Sequence, residues 1–187
     1  MNATTGTGKF VNIPDCYIQI GSQEPIYMYI MPDIGDQHEA KYNTQDGIGR
    51  SMPMYTFAFG GVRSISWTIH LYADSLDRLI SNLQVLRRIE ACTYPRVDQV
   101  KDLPFTPPSI CRLKCGEVLG SPTYEISAVL KSYNVKFPVD VQWSGPISYK
   151  GQNYSSIPYK FDIDCSFEVV YSAGTLPGAE RIVQFGN

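Results

Sequence analysis

The chain is poor in charge, in histidine and in long apolar runs. Charged residues make up 18% of its 187 positions, below the usual quarter. The net charge is −2, and the densest basic cluster is the pair Arg87–Arg88. A protein that coats duplex DNA needs clustered Lys and Arg against the phosphates, so that class is not expected. No apolar run approaches the roughly 20 residues of a membrane-spanning helix, so no membrane partner is expected. The opening M-N-A-T-T-G-T-G-K-F lacks the apolar stretch of a secretion signal. The expectation is synthesis in a cytoplasm, with export only as part of an assembly.

Catalytic signatures are equally scarce. There are two histidines, His38 and His70, and no G-x-S-x-G elbow. His70 falls in the polar register of a strand, where a solvated imidazole is expected. The run Thr5–Phe10 resembles a phosphate loop by letter, but Ala3 replaces its first glycine and Phe10 its Ser or Thr. The five cysteines are Cys16, Cys92, Cys111, Cys115 and Cys165. An odd count without a secretion signal predicts reduced thiols. Cys111 and Cys115 lie on one strand, about 13 Å apart by strand rise. That is too far for a mutual disulfide or a shared zinc. No catalytic, cofactor-binding or metal-binding residue is therefore assigned.

What is abundant is alternation. In Arg63–Leu71, Ile65, Trp67, Ile69 and Leu71 point one way, and Ser64, Ser66, Thr68 and His70 the other. In Phe161–Tyr171, the residues Phe161, Ile163, Cys165, Phe167, Val169 and Tyr171 share one face. A period of two over such lengths predicts a sheet with one buried face. Tyr occurs 13 times, and Tyr favours both strands and interfaces. Further strands are expected at 11–20, 25–31, 54–59, 110–117, 125–137, 139–143 and 159–172. The first two form a hairpin, and a tight Gly60–Gly61 turn joins 54–59 to 63–72.

One helix interrupts the strands. Leu76, Leu79, Ile80, Leu83, Leu86 and Ile89 recur at helical spacing, Asp74 or Ser75 caps the start, and Pro95 ends the signal. A Pro-rich connector follows at 98–108. The expected organisation is a single domain over 1–187, with an N-terminal arm (1–10), a long polar contact loop (32–53), a loop at 144–158 and a C-terminal tail (173–187). The residues alone predict a β-rich domain with one helix.

Asp162, Asp164 and Glu168 are the most suggestive charges. Alternate strand residues share a face about 6–7 Å apart, a spacing open to glycoside chemistry or a hard cation. A solvated acidic face is the simpler expectation. An acidic wall would also repel DNA and let it slide past. Tyr149, Tyr154 and Tyr159 suit sugar stacking, although such clusters more often pack a loop or an interface.

The second half carries a family resemblance. Pro107–Glu117 (P-P-S-I-C-R-L-K-C-G-E), Leu130–Trp143 (L-K-S-Y-N-V-K-F-P-V-D-V-Q-W) and Ile157–Tyr171 (I-P-Y-K-F-D-I-D-C-S-F-E-V-V-Y) resemble the tube-fold proteins of contractile-tailed bacteriophages. Within these the baseplate-hub and tail-tube junction proteins are the nearest subset. The resemblance covers about a third of the chain and rests on strand pattern rather than a catalytic signature.

It implies a mainly β (α+β) tube fold, a two-sheet β-sandwich or barrel with one flanking helix, and a structural virion protein of the phage tail, not an enzyme and without cofactors. Sister copies would close into a ring, a hexamer in that family, beside neighbouring tail-tube and baseplate proteins. DNA would pass through the channel without specific binding. One departure is plain: tube subunits carry a long β-hairpin after the first strands, where this chain has the polar, Gly-rich 32–53. Two other readings stay open, a small carbohydrate-binding β-sandwich using Tyr149 and Tyr154, and a hydrolase using Asp162 or Asp164.

Overall fold

The computed structural model describes residues 12–45, 52–95, 107–120 and 125–171. Over these residues the chain is mainly β with one helix, as the alternation predicts. In chain order the strands are β1 (Cys16–Ile20), β2 (Ile26–Tyr27), β3 (Asp33–Gln37), β4 (Ala40–Gln45), β5 (Met54–Gly60) and β6 (Ser64–Tyr72). Helix α1 (Leu76–Thr93) follows, then β7 (Cys111–Cys115), β8 (Ile126–Lys136), β9 (Ile147–Tyr149), β10 (Gln152–Tyr154) and β11 (Lys160–Val169). Seven strands form one antiparallel sheet in the order β2-β1-β7-β8-β11-β6-β3, curled into a half-barrel. β4–β5 and β9–β10 are separate two-stranded sheets.

The alternation survives into the packing. On β6, Ile65, Trp67, Ile69 and Leu71 are buried, and β11 buries Phe161, Ile163, Cys165, Phe167 and Val169 opposite them. Tyr171 lies past the end of β11 and is exposed. Helix α1 packs against β6 and β8, burying Leu79, Ile80, Ile89 and Cys92. Its start is capped by Ser75, whose hydroxyl accepts the Arg78 N–H at 3.4 Å. Burial of a Leu- or Phe-sized side chain contributes about 1.5–3 kcal/mol, so the shared core of sheet and helix dominates stability.

Four expectations are corrected. The described part of 32–53 holds two strands where a loop was expected: β3 pairs with β6 at the edge of the main sheet, and β4 pairs with β5. Its polar, Gly-rich composition hid the strands because both lie at a sheet edge with almost no buried side chains. The supposed hairpin through Gly60–Gly61 is absent for the same reason: β5 pairs with β4, and β6 with β3 and β11. Residues 139–143 hold a turn and a single bridge, Trp143 to Pro158, rather than a strand. The loop 144–158 contains the β9–β10 hairpin. The expected arm at 1–10, the tail at 173–187, the phosphate-loop look-alike and most of the Pro-rich connector lie outside the described residues.

Candidate functional site: a projecting aromatic arm and a charge-paired sheet face

Strands β3 and β4 run on from one another, as do β5 and β6, and the two lines stay paired throughout. Asp33–Gln37 face Ser64–Thr68, and Ala40–Gln45 face Met54–Gly60. Over the described residues the result is one long two-stranded ladder whose lower half belongs to the half-barrel and whose upper half forms a sheet of its own. At the junction the Gly61 N–H donates to the Glu39 carbonyl at 2.6 Å. A Cβ on Gly61 would sit 2.9 Å from that same oxygen, which explains a glycine there. The root is pinned by a two-pronged ion pair: Arg63 Nε donates to Asp36 Oδ1 at 2.9 Å and Nη2 to Oδ2 at 2.5 Å. That hydrogen bonding holds the Asp36 carboxyl below its ordinary range.

The upper half carries an aromatic face. Tyr55 and Phe57 alternate along β5 and so point the same way, while a bulge carries Phe59 to the other side with Lys41. This bulge, between Lys41 and Tyr42, sets Tyr42 opposite Phe57 and Lys41 opposite Phe59. Tyr42 and Phe57 meet edge to face at 5.8 Å, and the Lys41 ammonium lies over the Phe59 ring at 5.9 Å. Yet these rings remain largely in solvent: Tyr42 is 56%, Tyr55 67%, Phe57 63% and Phe59 57% exposed. Sequence reading singled out the region as a contact segment but missed the face. The alternation of Tyr55 and Phe57 was the available signal.

The face of the main sheet away from α1 holds the acidic residues, and each has a partner. Asp162 meets His70 Nδ1 at 2.8 Å, and Asp33 meets His70 Nε2 at 3.2 Å. Asp164 pairs with Lys136 at 2.7 Å and accepts from Thr68 at 2.8 Å. Glu168 pairs with Lys131. This is a ladder of opposite charges across β6, β11 and β8, not a bare acidic wall.

The ladder bears on the hydrolase reading. A glycosidase general acid needs a raised pKa, but hydrogen bonds from Lys136 and Thr68 hold Asp164 below its ordinary range. Both nitrogens of His70 face carboxylates rather than a hydroxyl or thiol, so the imidazole is bridged rather than simply solvated. His38 lies at the arm's junction, with its ring near Gly60.

The tyrosines of the sugar reading are engaged elsewhere. Tyr149 and Tyr154 pack against the small cluster of Ala73, Leu79, Ile80 and Ile157 beneath the start of α1. The Tyr149 hydroxyl donates to Asp77, and the Lys150 ammonium lies over its ring at 5.1 Å. Tyr159 is apart from them, with its N–H on the Gln142 carbonyl at 3.1 Å.

A small cleft of about 160 Å³ between β2, β6 and α1 is lined by Tyr29, Asn82, Arg78 and Arg88, among others. It falls below the 300–1,000 Å³ usual for small-molecule sites. Among the described residues no group of three or more His, Cys, Asp or Glu could hold a metal ion. No described helix is long and apolar enough to cross a membrane. No protein-family model matches the chain, and no curated protein matches it.

Proposed function

We propose that the chain is a ring-forming structural subunit, of the tail-tube or baseplate-hub kind found in contractile-tailed bacteriophages. Its work is architectural rather than chemical: sister copies join through their arms and sheet edges, and adjoining tail-tube and baseplate proteins continue the stack. DNA passes through the channel without specific contacts, and the protein resides in the virion.

The observation that carries this reading is the aromatic face of the arm. Full burial of such a ring contributes about 1.5–3 kcal/mol, so the three rings Tyr42, Tyr55 and Phe57, each with more than half its surface in water, leave about 3–6 kcal/mol per arm available to a partner. Contiguous apolar patches of this kind mark interaction sites. The half-barrel adds to the argument. It ends in β2 and β3, and such edges are templates for a neighbouring strand. A head-to-tail contact whose rotation closes produces a ring. The arm follows the first strands, as the long hairpin of tube subunits does, and this supports the reading. The charge-paired face suits a channel wall that neither grips nor strongly repels DNA. No observation favours the carbohydrate-binding or hydrolase readings over this one.

The test is excision of the arm. Glu39 and Gly61 are hydrogen-bonded neighbours, so residues 40–60 can be replaced by a two-residue Asn-Gly turn without disturbing β3 or β6. The excised protein is expected to keep its circular dichroism and to sediment as a monomer, while the full chain forms rings or tubes visible by negative-stain microscopy. A full chain that stays monodisperse and monomeric at high concentration overturns the reading.

A further inference from the structure

Four of the five core thiols meet in twos. Cys16 Sγ lies 3.5 Å from Cys115 Sγ, and Cys92 Sγ lies 3.5 Å from Cys111 Sγ. Strand β7 carries Cys111 and Cys115 on its core face and so meets another element's thiol at each end. The sequence excluded a bond between these two but had no means of showing the partner each would face.

The first pair is set by the ladder itself. Cys16 stands directly opposite Cys115 in the antiparallel pairing of β1 and β7. The Cys16 carbonyl accepts from the Met28 N–H at 2.9 Å, on the side away from β7. The Cys115 N–H donates to the Leu119 carbonyl at 2.9 Å, on the side away from β1. The inter-strand bond falls instead on the next pair, from the Gly116 N–H to the Asp15 carbonyl at 2.7 Å.

Cys16 and Cys115 therefore occupy a non-hydrogen-bonded site, where opposed Cα atoms lie about 4.5 Å apart. A disulfide accepts Cα separations of about 4.4–6.8 Å, so the bond needs side-chain rotation and no backbone shift. The second pair lacks this definition. Cys92 comes from α1, and Cys165 lies near enough to interact with both Cys92 and Cys111.

We propose that Cys16 and Cys115 form a redox-modification site, which closes into a cross-strand disulfide stapling β1 to β7 when the chain meets a low-molecular-weight disulfide such as oxidised glutathione. The thiol of Cys115, at the strand end beside the Gly116 turn, loses its proton to solvent and attacks one glutathione sulfur. The glutathione disulfide breaks, one glutathione leaves as thiolate, and Cys115 carries the other. Cys16 then loses its proton and attacks the Cys115 sulfur, releasing the second glutathione. Two protein thiols are oxidised, and one glutathione disulfide is reduced to two thiols.

Burial and the neighbouring Cys115 push the Cys16 thiol up to about 12, and Cys115 is only 5% exposed. Closure is therefore slow and follows opening of the β7 end. The staple joins residues 99 positions apart, and closing so long a loop restricts the unfolded chain. The chemistry does not depend on the assembly reading.

The experiment is native incubation with oxidised glutathione, followed by alkylation of remaining thiols, non-reducing peptide mapping and thermal unfolding. The expected result is a Cys16–Cys115 linked peptide and a rise in Tm that reductant reverses. Cys16→Ser and Cys115→Ser lose both signals, and Cys165→Ser keeps them. If the serine variants do not fold, wild-type mapping decides alone. The proposal is overturned if the native protein keeps all its thiols under conditions that oxidise the urea-unfolded chain. Links from Cys16 or Cys115 to any other cysteine or chain, or stable glutathione adducts alone, overturn it equally.

Discussion

The imidazole of His70 is held between Asp162, 2.8 Å from Nδ1, and Asp33, 3.2 Å from Nε2. One side chain on β6 thus ties the edge strand β3, the base of the arm, to the central strand β11. Asp164, next on that face of β11, and Lys136 from β8 complete the charged surroundings. Partial burial pulls the His70 pKa down, but the hydrogen bond and charge of Asp162, then those of Asp33, outweigh it and leave the pKa raised above 6.5.

A histidine whose folded pKa is raised stabilises the fold fully below its unfolded value and loses that contribution as pH rises through the folded value. The His70 bridge should therefore weaken as pH rises beyond 6.5. In an NMR titration its ring resonances should show a midpoint above 6.5, and Asp162→Asn should move that midpoint down. A midpoint below about 6.5 in the unaltered protein contradicts the bridge.

Gly61→Ala tests the junction of the arm. The new methyl would meet the Glu39 carbonyl at 2.9 Å, so the two strands must part there. Hydrogen exchange should quicken at Gly61 and along β4 and β5, while β8 and β11 keep their protection. Unchanged exchange in the arm shows that the junction yields without strain.

Two core substitutions should separate cavity from polarity. Phe167 is 1% exposed, and Phe167→Ala should cost about 3–5 kcal/mol in urea unfolding. Trp67 is equally buried, but its Nε1 has no hydrogen-bond partner. An orphaned buried donor costs about 1–3 kcal/mol, so Trp67→Phe should lose less than Phe167→Ala. Equal losses count against the orphaned donor.

Ser75→Ala removes the hydroxyl that accepts the Arg78 N–H. The expected loss is about 1 kcal/mol, read as a lower urea midpoint at unchanged slope.

How far the sequence carries depends on whether one face of an element is buried. β6 and β11 were legible because each pairs with strands on both edges and buries every second residue, so solvent and core imprint alternate letters. Helix α1 was legible from its apolar stripe and its Ser75 cap. β3 and β4 were not, because a projecting arm buries almost nothing and its residues carry no core imprint. The short β9–β10 hairpin escaped for a related reason: only Ile147, Tyr149 and Tyr154 pack on the small cluster beneath α1, and the residues around them are loop-like. The charge pairs of the polar face were also out of reach, since His70, Asp162 and Asp33 are brought together only by strand order and register.

The amino-acid order alone determined that this chain builds a one-sided sheet with a single helix laid upon it. Side chains that must leave water recur at the period of the backbone that carries them. Only the tertiary structure decided which strands are neighbours, where the arm leaves the half-barrel, and which thiol and which carboxylate each partner meets. Those relations join residues 19 to 99 positions apart, and local periodicity holds no information about which distant element lies alongside.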